Sequence, residues 1–559
     1  MGRRHAAKPP TVSKPAPALQ DSAKSWRRPL GIAWLIAGVT LAVALATLGP
    51  ATGGPGLTVD EYYDADAGKR LVHAWRTEGW RFFARSNVEQ LYGTMTLHPP
   101  VGRWFVGWVH HAIDAYPDDV QIVWLPGART ASALALALLV GLVGSTAAAI
   151  APGEQRTLAA AGGAMATALM PRLFAHGHLV SLDMLAALFF FAAVATLLLA
   201  TREASAQGIS RRFWIRIALA GAVWGLALGT KISGLLLLPA AGVWFVARYR
   251  VKGIALFLLY LLAGSLVFFA AWPWLWFAPL ERTSQFLFTA TDRATLHTFY
   301  EGQVWDDRAV PWHYPWVITA VTVPVGLLAL AIYGAVAPWR DQAFRPAVQL
   351  TLLALGSVLL TFSWPGVPVY DGERLFLMVY PLLGLLCGLA CVKLVEFPWF
   401  ARHSLAARYG ALALLFATQA TGLVFYHPFQ LSYYNLLVGG LAGAERLGFE
   451  VTYWGDTVDH TIADDAAAQA AEETVLLAPN LAPFQAQAVE IIYPAFANHS
   501  TRLIGWPGDS TAATRPRYLL VYNRRADAVV PAPLLAQAKL IAENRRQGVW
   551  LARLYELPR

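Results

Sequence analysis

The sequence predicts an all-α polytopic membrane protein of about eleven transmembrane helices, with a small α/β domain after the last of them. Three observations carry this. First, 56% of the 559 residues are hydrophobic and 14% are charged, against roughly 25% charged in soluble proteins, and mean hydropathy is +0.44. Second, the apolar residues gather into eleven runs. Third, beyond residue 426 the runs stop and short strand-like pieces begin. The composition excludes a soluble enzyme, a disordered chain and a disulfide scaffold. The net charge of +9 could indicate nucleic acid, but the Lys and Arg sit mostly in short stretches between apolar runs, where they set membrane orientation instead.

Residues 1–28 are Pro-, Ala- and Lys-rich and are expected to form a disordered basic cytoplasmic tail. The first run, Pro29–Gly49, is long and lacks a convincing A-x-A exit, so it reads as a signal anchor. Further runs are Thr130–Gly153, Met184–Thr201, Gly253–Ala271, Trp316–Trp339, Pro346–Tyr370, Leu375–Val392 and Tyr409–Tyr426. Three shorter ones are Thr157–Pro171, Ile217–Thr230 and Ile232–Ala247, the last two meeting at Lys231. A span needs about 20 apolar residues, so these two are either one interrupted span or two short ones. Counting them as two places the basic loops together on the cytoplasmic side and the C-terminus outside. Cys387 and Cys391, inside one run, read as small buried hydrophobes.

The segment 50–126 is longer than a helix link requires and mixes charge with Trp and Phe, as interfacial helices do. A second outer loop, 272–315, holds WPWLWF and then a polar run to HTFYEGQVWDD. The tail, 427–559, offers TVLLAP, RYLLVYN and VWLARLY between Ala-rich stretches, the pattern of an extracytoplasmic α/β domain.

Candidate chemistry falls on the predicted outer side. Asp60-Glu61 opens the first outer loop. Asp60 suits a general base, with Glu61 in support; the alternative is a helix N-cap by Thr58 or Asp60, with acids favoured in the first turn. His98-Pro99-Pro100 with Gly102-Arg103 makes a rigid turn that presents His98 and Arg103, or simply starts a helix. Asp183 lies beside Ser181, His176 and His178. The link Tyr370-Asp371-Gly372-Glu373-Arg374 joins two runs. Lys231 and Arg374 suit a lipid phosphate; the alternatives are snorkelling for Lys231 and an ordinary turn at Asp371-Gly372. No cofactor is demanded. A divalent metal stays open, with His176 and His178 as weak ligand candidates short of a full set.

These motifs resemble glycosyltransferase family 39: the protein O-mannosyltransferases and their bacterial relatives, including the aminoarabinose transferase that modifies lipid A. One span, then Asp-Glu, then HPPVGR, is followed in order by PRLFAHGHLVSLD, GTKISGLLLLP, YDGERLFLMVYP, SYYNLLVGG and GFEVTYWGD. The resemblance implies a GT-C fold over residues 29–426, a polyprenyl-phosphate sugar donor, and inverting transfer to an acceptor hydroxyl of a protein, lipid or glycan. The setting it implies is the outer face of a bacterial-type inner or plasma membrane. By position it makes Asp60 the catalytic acid residue of the family, and sets His98, Arg103, Lys231 and Arg374 near donor or phosphate; Asp183 and Tyr370 join them as candidate donor-binding residues. Arg103 stands where the mannosyltransferases usually show Lys, and the β-trefoil insert of the eukaryotic enzymes is absent. The chemistry is coherent, since a sugar-phosphate leaving group needs no proton and one carboxylate suffices, unlike the carboxyl pair of glycosidases. Two other readings are a lipid-phosphate flippase and a non-catalytic assembly subunit. Transporters commonly carry internal repeats, and none is evident here.

Overall fold

The computed structural model describes residues 20–49, 53–93, 95, 97–202, 210–289, 294–508 and 516–558. All eleven apolar runs coincide with helices over most of their length, but not all with single straight ones, and Pro346–Tyr370 runs past its helix end at Phe362. Among the described residues, eight helices are long and apolar enough to cross a membrane, or nine if a bent pair counts as one span. The expected disordered tail 1–28 lies partly outside the described residues. From Gln20 onward it belongs to the first helix, α1 (Gln20–Ala46).

The segment expected to hold interfacial helices folds as α2 (Glu61–Glu78), α3 (Arg85–Tyr92) and α4 (Val101–Ile113). Behind them stands α5 (Leu125–Ile150), packed against α1, α4 and α6 (Arg156–Ala168). The short α7 (Pro171–His176) leads into α8 (Leu182–Arg202). Next come α9 (Arg211–Leu228), a 3₁₀ stretch over Ile232–Leu237, α10 (Leu238–Tyr249) and α11 (Val251–Ala271). The chain is therefore broken at Lys231, between α9 and the 3₁₀ stretch. Of the eleven runs, α6 and α9 fall short of a full span by length or composition. Leu258, Leu262 and Leu266 on α11 are each about 60% exposed, as residues facing hydrocarbon would be.

Small residues set how closely these helices approach. Gly221 and Gly225, four apart on α9, face Tyr260 and Gly264 of α11. A Cβ on Gly221 would lie 2.3 Å from the Tyr260 carbonyl oxygen. This is the small-xxx-small contact of membrane helices, and it holds α9 where its end delivers Lys231.

The run Trp316–Trp339 is not one straight helix. It divides into α13 (Tyr314–Thr322) and α14 (Val325–Val336), bent by 117° where Pro324 breaks the ladder. The freed carbonyls find a partner in Asn435, whose Nδ2 donates to Ala320 and Val323, both at 2.7 Å, while its backbone N–H donates to Val321. The preceding loop contains α12 (Pro279–Phe288) and a hairpin, β1 (His297–Tyr300) and β2 (Gln303–Asp306), turned at Glu301-Gly302 with both φ values positive. The polar run read as loop is thus a strand pair, signalled by a Gly turn between aromatic-bearing segments. Helices α15 (Arg345–Phe362), α16 (Val379–Glu396) and α17 (Leu405–Tyr426) complete the bundle. Cys387 and Cys391 are buried and unbridged on α16.

Beyond α17 a five-stranded sheet forms in the order β4-β3-β5-β7-β6. Its members are β3 (Thr474–Ala478), β4 (Arg502–Gly505), β5 (Tyr518–Tyr522), β6 (Lys539–Arg546) and β7 (Val549–Glu556). The first three in sequence run parallel, with two helical segments between β3 and β4, and the last two close the edge antiparallel. All three strand-like pieces read from the sequence are strands.

Gly221→Ala is expected to destabilise the protein by about 1–3 kcal/mol, because the added methyl meets backbone that cannot yield. Gly356→Ala on α15, with open space around its Cα, is expected to be neutral or slightly stabilising. Unfolding midpoints of the two variants in detergent decide this.

Candidate active site

The site begins at the start of α2, where two adjacent carboxylates have opposite fates. Glu61 is fully buried. Its Oε1 accepts from Arg129 Nε at 2.8 Å and from the Val180 N–H, and its Oε2 accepts from Arg129 Nη2 at 2.7 Å and from the Thr58 N–H. Arg129, on α5, spends its remaining donors on the carbonyls of Leu48, Pro55 and Gly56. All five of its N–H groups are used. Glu61 therefore has no free oxygen for substrate. The structure places it as the anchor of α2, in support of Asp60 rather than at the surface.

Asp60, about 100° further round the helix, makes no side-chain cap. Its side chain is 38% exposed and accepts from Arg374 Nη2. The capping alternative is thus set aside for Asp60, while Glu61 performs the reciprocal half of a capping box on Thr58.

Arg374 gathers the rest. It lies in the link between α15 and α16, and it donates from Nε to Asp183 Oδ2 at 3.2 Å and from Nη1 to Asp371 Oδ2 at 2.9 Å. Lys231 donates to the other oxygen of Asp183. The order is Asp60–Arg374–Asp183–Lys231, drawn from α2, the 370–374 link, α8 and the break after α9. Asp183 is 3% exposed and Arg374 11%, so Asp60 is the open end. Lys231 does not snorkel. It is 8% exposed and paired. Trp454 lies 4.2 Å from the Arg374 guanidinium and Tyr370 at 5.7 Å. The Asp371-Gly372 turn has two successive positive φ angles, 55° and 62°.

His98 and Arg103 line the flank. Burial, together with the charges of Lys231 and Arg103, holds the His98 imidazole well below its ordinary range, so it acts as a neutral ring at physiological pH. Arg103 is buried, donates to Asp64 Oδ1 and to the Met95 carbonyl, both at 3.1 Å, and packs on Tyr63. Its first partner is thus Asp64, one turn after Asp60, and it does not join the Arg374 network directly. Burial raises the Asp64 carboxyl to about 6 against the pull of Arg103.

His176 and His178 do not form a metal pair. His178 bonds the Phe174 carbonyl and Thr47, while His176 lies 3.6 Å from Glu373 and against Trp454. Among the described residues no group of three or more His, Cys, Asp or Glu is arranged to hold a metal.

Four functional residues escaped the sequence reading. Arg129 and Arg172 border apolar runs, and ionisable groups at such depth were a usable signal. Arg172 is buried against Glu373 and the Tyr433 carbonyl. Trp454 falls within the GFEVTYWGD motif but was not singled out as a site residue, and Arg524, also from beyond the bundle, carried no local signal.

Glu61→Gln is expected to cost about 3–5 kcal/mol, by leaving Arg129 buried with half its partner, whereas Asp60→Asn leaves the unfolding midpoint within about 0.5 kcal/mol. For Asp64, a folded-state carboxyl raised to about 6 contributes stability that is fully present below about 3.8 and is lost as pH rises through 6. Asp64→Asn is expected to abolish that component, so its unfolding midpoint falls less than the wild type's between pH 4.5 and 7.

Residues 105–289 match the family model of the dolichyl-phosphate-mannose-protein mannosyltransferases; this stretch contains Asp183 and Lys231. No curated protein matches the chain. Among solved structures, ArnT from Cupriavidus metallidurans in the apo state is 16% identical, with 93% of this chain and 97% of ArnT covered and a TM-score of 0.52. ArnT from the same organism bound to undecaprenyl phosphate gives the same identity and coverage at 0.51. The oligosaccharyltransferase AglB from Archaeoglobus fulgidus, in complex with an inhibitory peptide and a dolichol-phosphate, is 12% identical over 88% of this chain and 69% of AglB, at 0.47. The chain is a multi-pass membrane protein with the ArnT-like GT-C fold, and its resemblance to the mannosyltransferase family holds over residues 105–289.

Proposed function

We propose that this chain is a membrane glycosyltransferase that takes a sugar from a polyprenyl-phosphate donor and passes it, with inversion, to an acceptor hydroxyl on the extracytoplasmic face of the plasma membrane. The observation that carries this reading is one half-open carboxylate, Asp60, tied to Arg374 and through Asp183 to Lys231, in a fold shared with an ArnT that has been crystallised with undecaprenyl phosphate.

The geometry supports a simple displacement. Asp60 accepts the proton of the acceptor hydroxyl. The oxygen attacks the anomeric carbon, and the bond to the phosphate oxygen breaks with its electron pair, leaving polyprenyl phosphate. Arg374 has five N–H groups and uses three on Asp183, Asp371 and Asp60, so two remain for phosphate. Lys231 adds a second cation at the point where negative charge develops. Asp183 reaches neither reactant. It holds both cations in register. His98, kept neutral by burial and by its cationic neighbours, offers a hydrogen bond without repelling them. The acceptor is a protein, lipid or glycan hydroxyl that approaches the exposed side of Asp60.

Asp60→Asn is expected to lower transfer from a lipid-linked donor by about 10²–10⁴-fold while donor binding persists. Lys231→Ala is expected to weaken donor binding instead. Purified protein in nanodiscs with radiolabelled donor separates the two effects, and transfer by Asp60→Asn at the wild-type rate rejects the assignment. Lipid flux in liposomes without covalent transfer would instead favour a flippase.

A further inference from the structure

The ion network does not end at the membrane helices. Arg524, just past β5 in the C-terminal sheet, is 5% exposed. Its Nη1 donates to Asp371 Oδ1 at 2.7 Å and to the Tyr453 carbonyl at 2.5 Å, and its Nε donates to Asp527 Oδ2 at 2.7 Å. Its Nη2 reaches the His297 carbonyl of the β1–β2 hairpin at 3.5 Å. Asp371 thus gives one oxygen to Arg524 and the other to Arg374. A single carboxylate bridges the guanidinium that faces Asp60 and a guanidinium from the C-terminal domain.

Charge makes this bridge consequential. Around the site stand three carboxylates, Asp60, Asp183 and Asp371, against two cations, Lys231 and Arg374. Without Arg524 the set carries an excess negative charge, in the place where a phosphate would have to sit. Arg524 cancels it. Arg524 also faces Asp527, which is 23% exposed and shared with His297, and Glu450, whose carboxyl burial raises to about 7. Arg524 also occupies the Asp371 oxygen that would otherwise compete for the two remaining N–H groups of Arg374. The left-handed backbone at Asp371 (φ 55°) is costly for a residue with a Cβ, and the two guanidinium bonds hold it there.

We propose that Arg524 is a positioning residue for the donor phosphate: it neutralises Asp371 so that Arg374 stays available, which makes the C-terminal domain part of the donor site. This rests on the donor reading above. Arg524 itself touches no reacting atom.

The test is equilibrium binding of radiolabelled undecaprenyl phosphate to the full-length protein in nanodiscs. Arg524→Gln is expected to raise Kd by about tenfold, the scale of one uncompensated charge at partly screened distance. Arg524→Lys, which keeps the charge, stays within about threefold. Adding Asp371→Asn to Arg524→Gln removes the uncompensated carboxylate and is expected to recover most of the lost affinity. Asp371→Asn alone binds at least as tightly as wild type, and this variant decides the matter if Arg524→Gln does not fold. An Arg524 that only braced the domain would lower the fraction of competent protein at unchanged Kd, and the double variant would be worse than either single one. An unchanged Kd in Arg524→Gln, a double variant weaker than Arg524→Gln, or Asp371→Asn binding more weakly than wild type overturns the proposal. Wild-type protein that binds no undecaprenyl phosphate overturns the donor reading together with it.

Discussion

The buried pair of Glu61 and Arg129 is the constraint on which the site depends. Two charges taken out of water are costly unless every polar atom is met, and here every one is. Arg129 uses its five N–H groups on Glu61 and on three carbonyls of the chain that leads into α2. That pair fixes the rotation of α2 as well as its position. A helix turns by about 100° per residue, so sealing Glu61 inside the protein leaves Asp60 only one direction to point, toward Arg374 and open space. Two adjacent carboxylates that look interchangeable in the sequence become a buried anchor and a half-exposed acid.

The same logic organises the cations. Lys231 and Arg374 come from segments more than a hundred residues apart, and each alone at membrane depth would be expensive. Asp183, near the start of α8, gives one oxygen to each, so their charges are offset and their spacing is set by a carboxylate a few ångströms wide. The glycine contact between α9 and α11 supplies the backbone position for Lys231, and the left-handed turn at Asp371-Gly372 supplies that for Arg374. Helix packing and loop strain thus serve the same end. They bring two cations to the flank of one half-exposed acid.

Much of this was legible in the sequence. The apolar runs are largely helical, because burying apolar residues in hydrocarbon leaves the backbone few other ways to satisfy its hydrogen bonds. Asp60, Asp183, Lys231 and Arg374 stood out because charge in such company needs a reason, and the structure brings all four together. The reading erred or stopped where the answer depended on distant chain. The bend between α13 and α14 is tolerated because Asn435, over a hundred residues later, supplies the missing donors. Arg103 turned from expected phosphate ligand into partner of Asp64, a choice made by packing between α2 and α4. His176 and His178, two residues apart, look like a ligand pair, but they end in separate environments. The chain reverses into a turn between α7 and α8, and each ring meets a different neighbour.

The sequence by itself determined that this protein has the composition of a membrane protein and that its charged residues are too few to be idle. Those properties follow from local composition and spacing, which any window of chain reveals. Only the tertiary structure decided which carboxylate faces outward, which cations share a partner, and that Trp454 and Arg524, both from beyond the bundle, reach Arg374 and Asp371. Their contribution arises from contacts between segments that have no periodic or compositional relation to one another, and the energy of a charged pair depends on distance and burial, which a sequence does not contain.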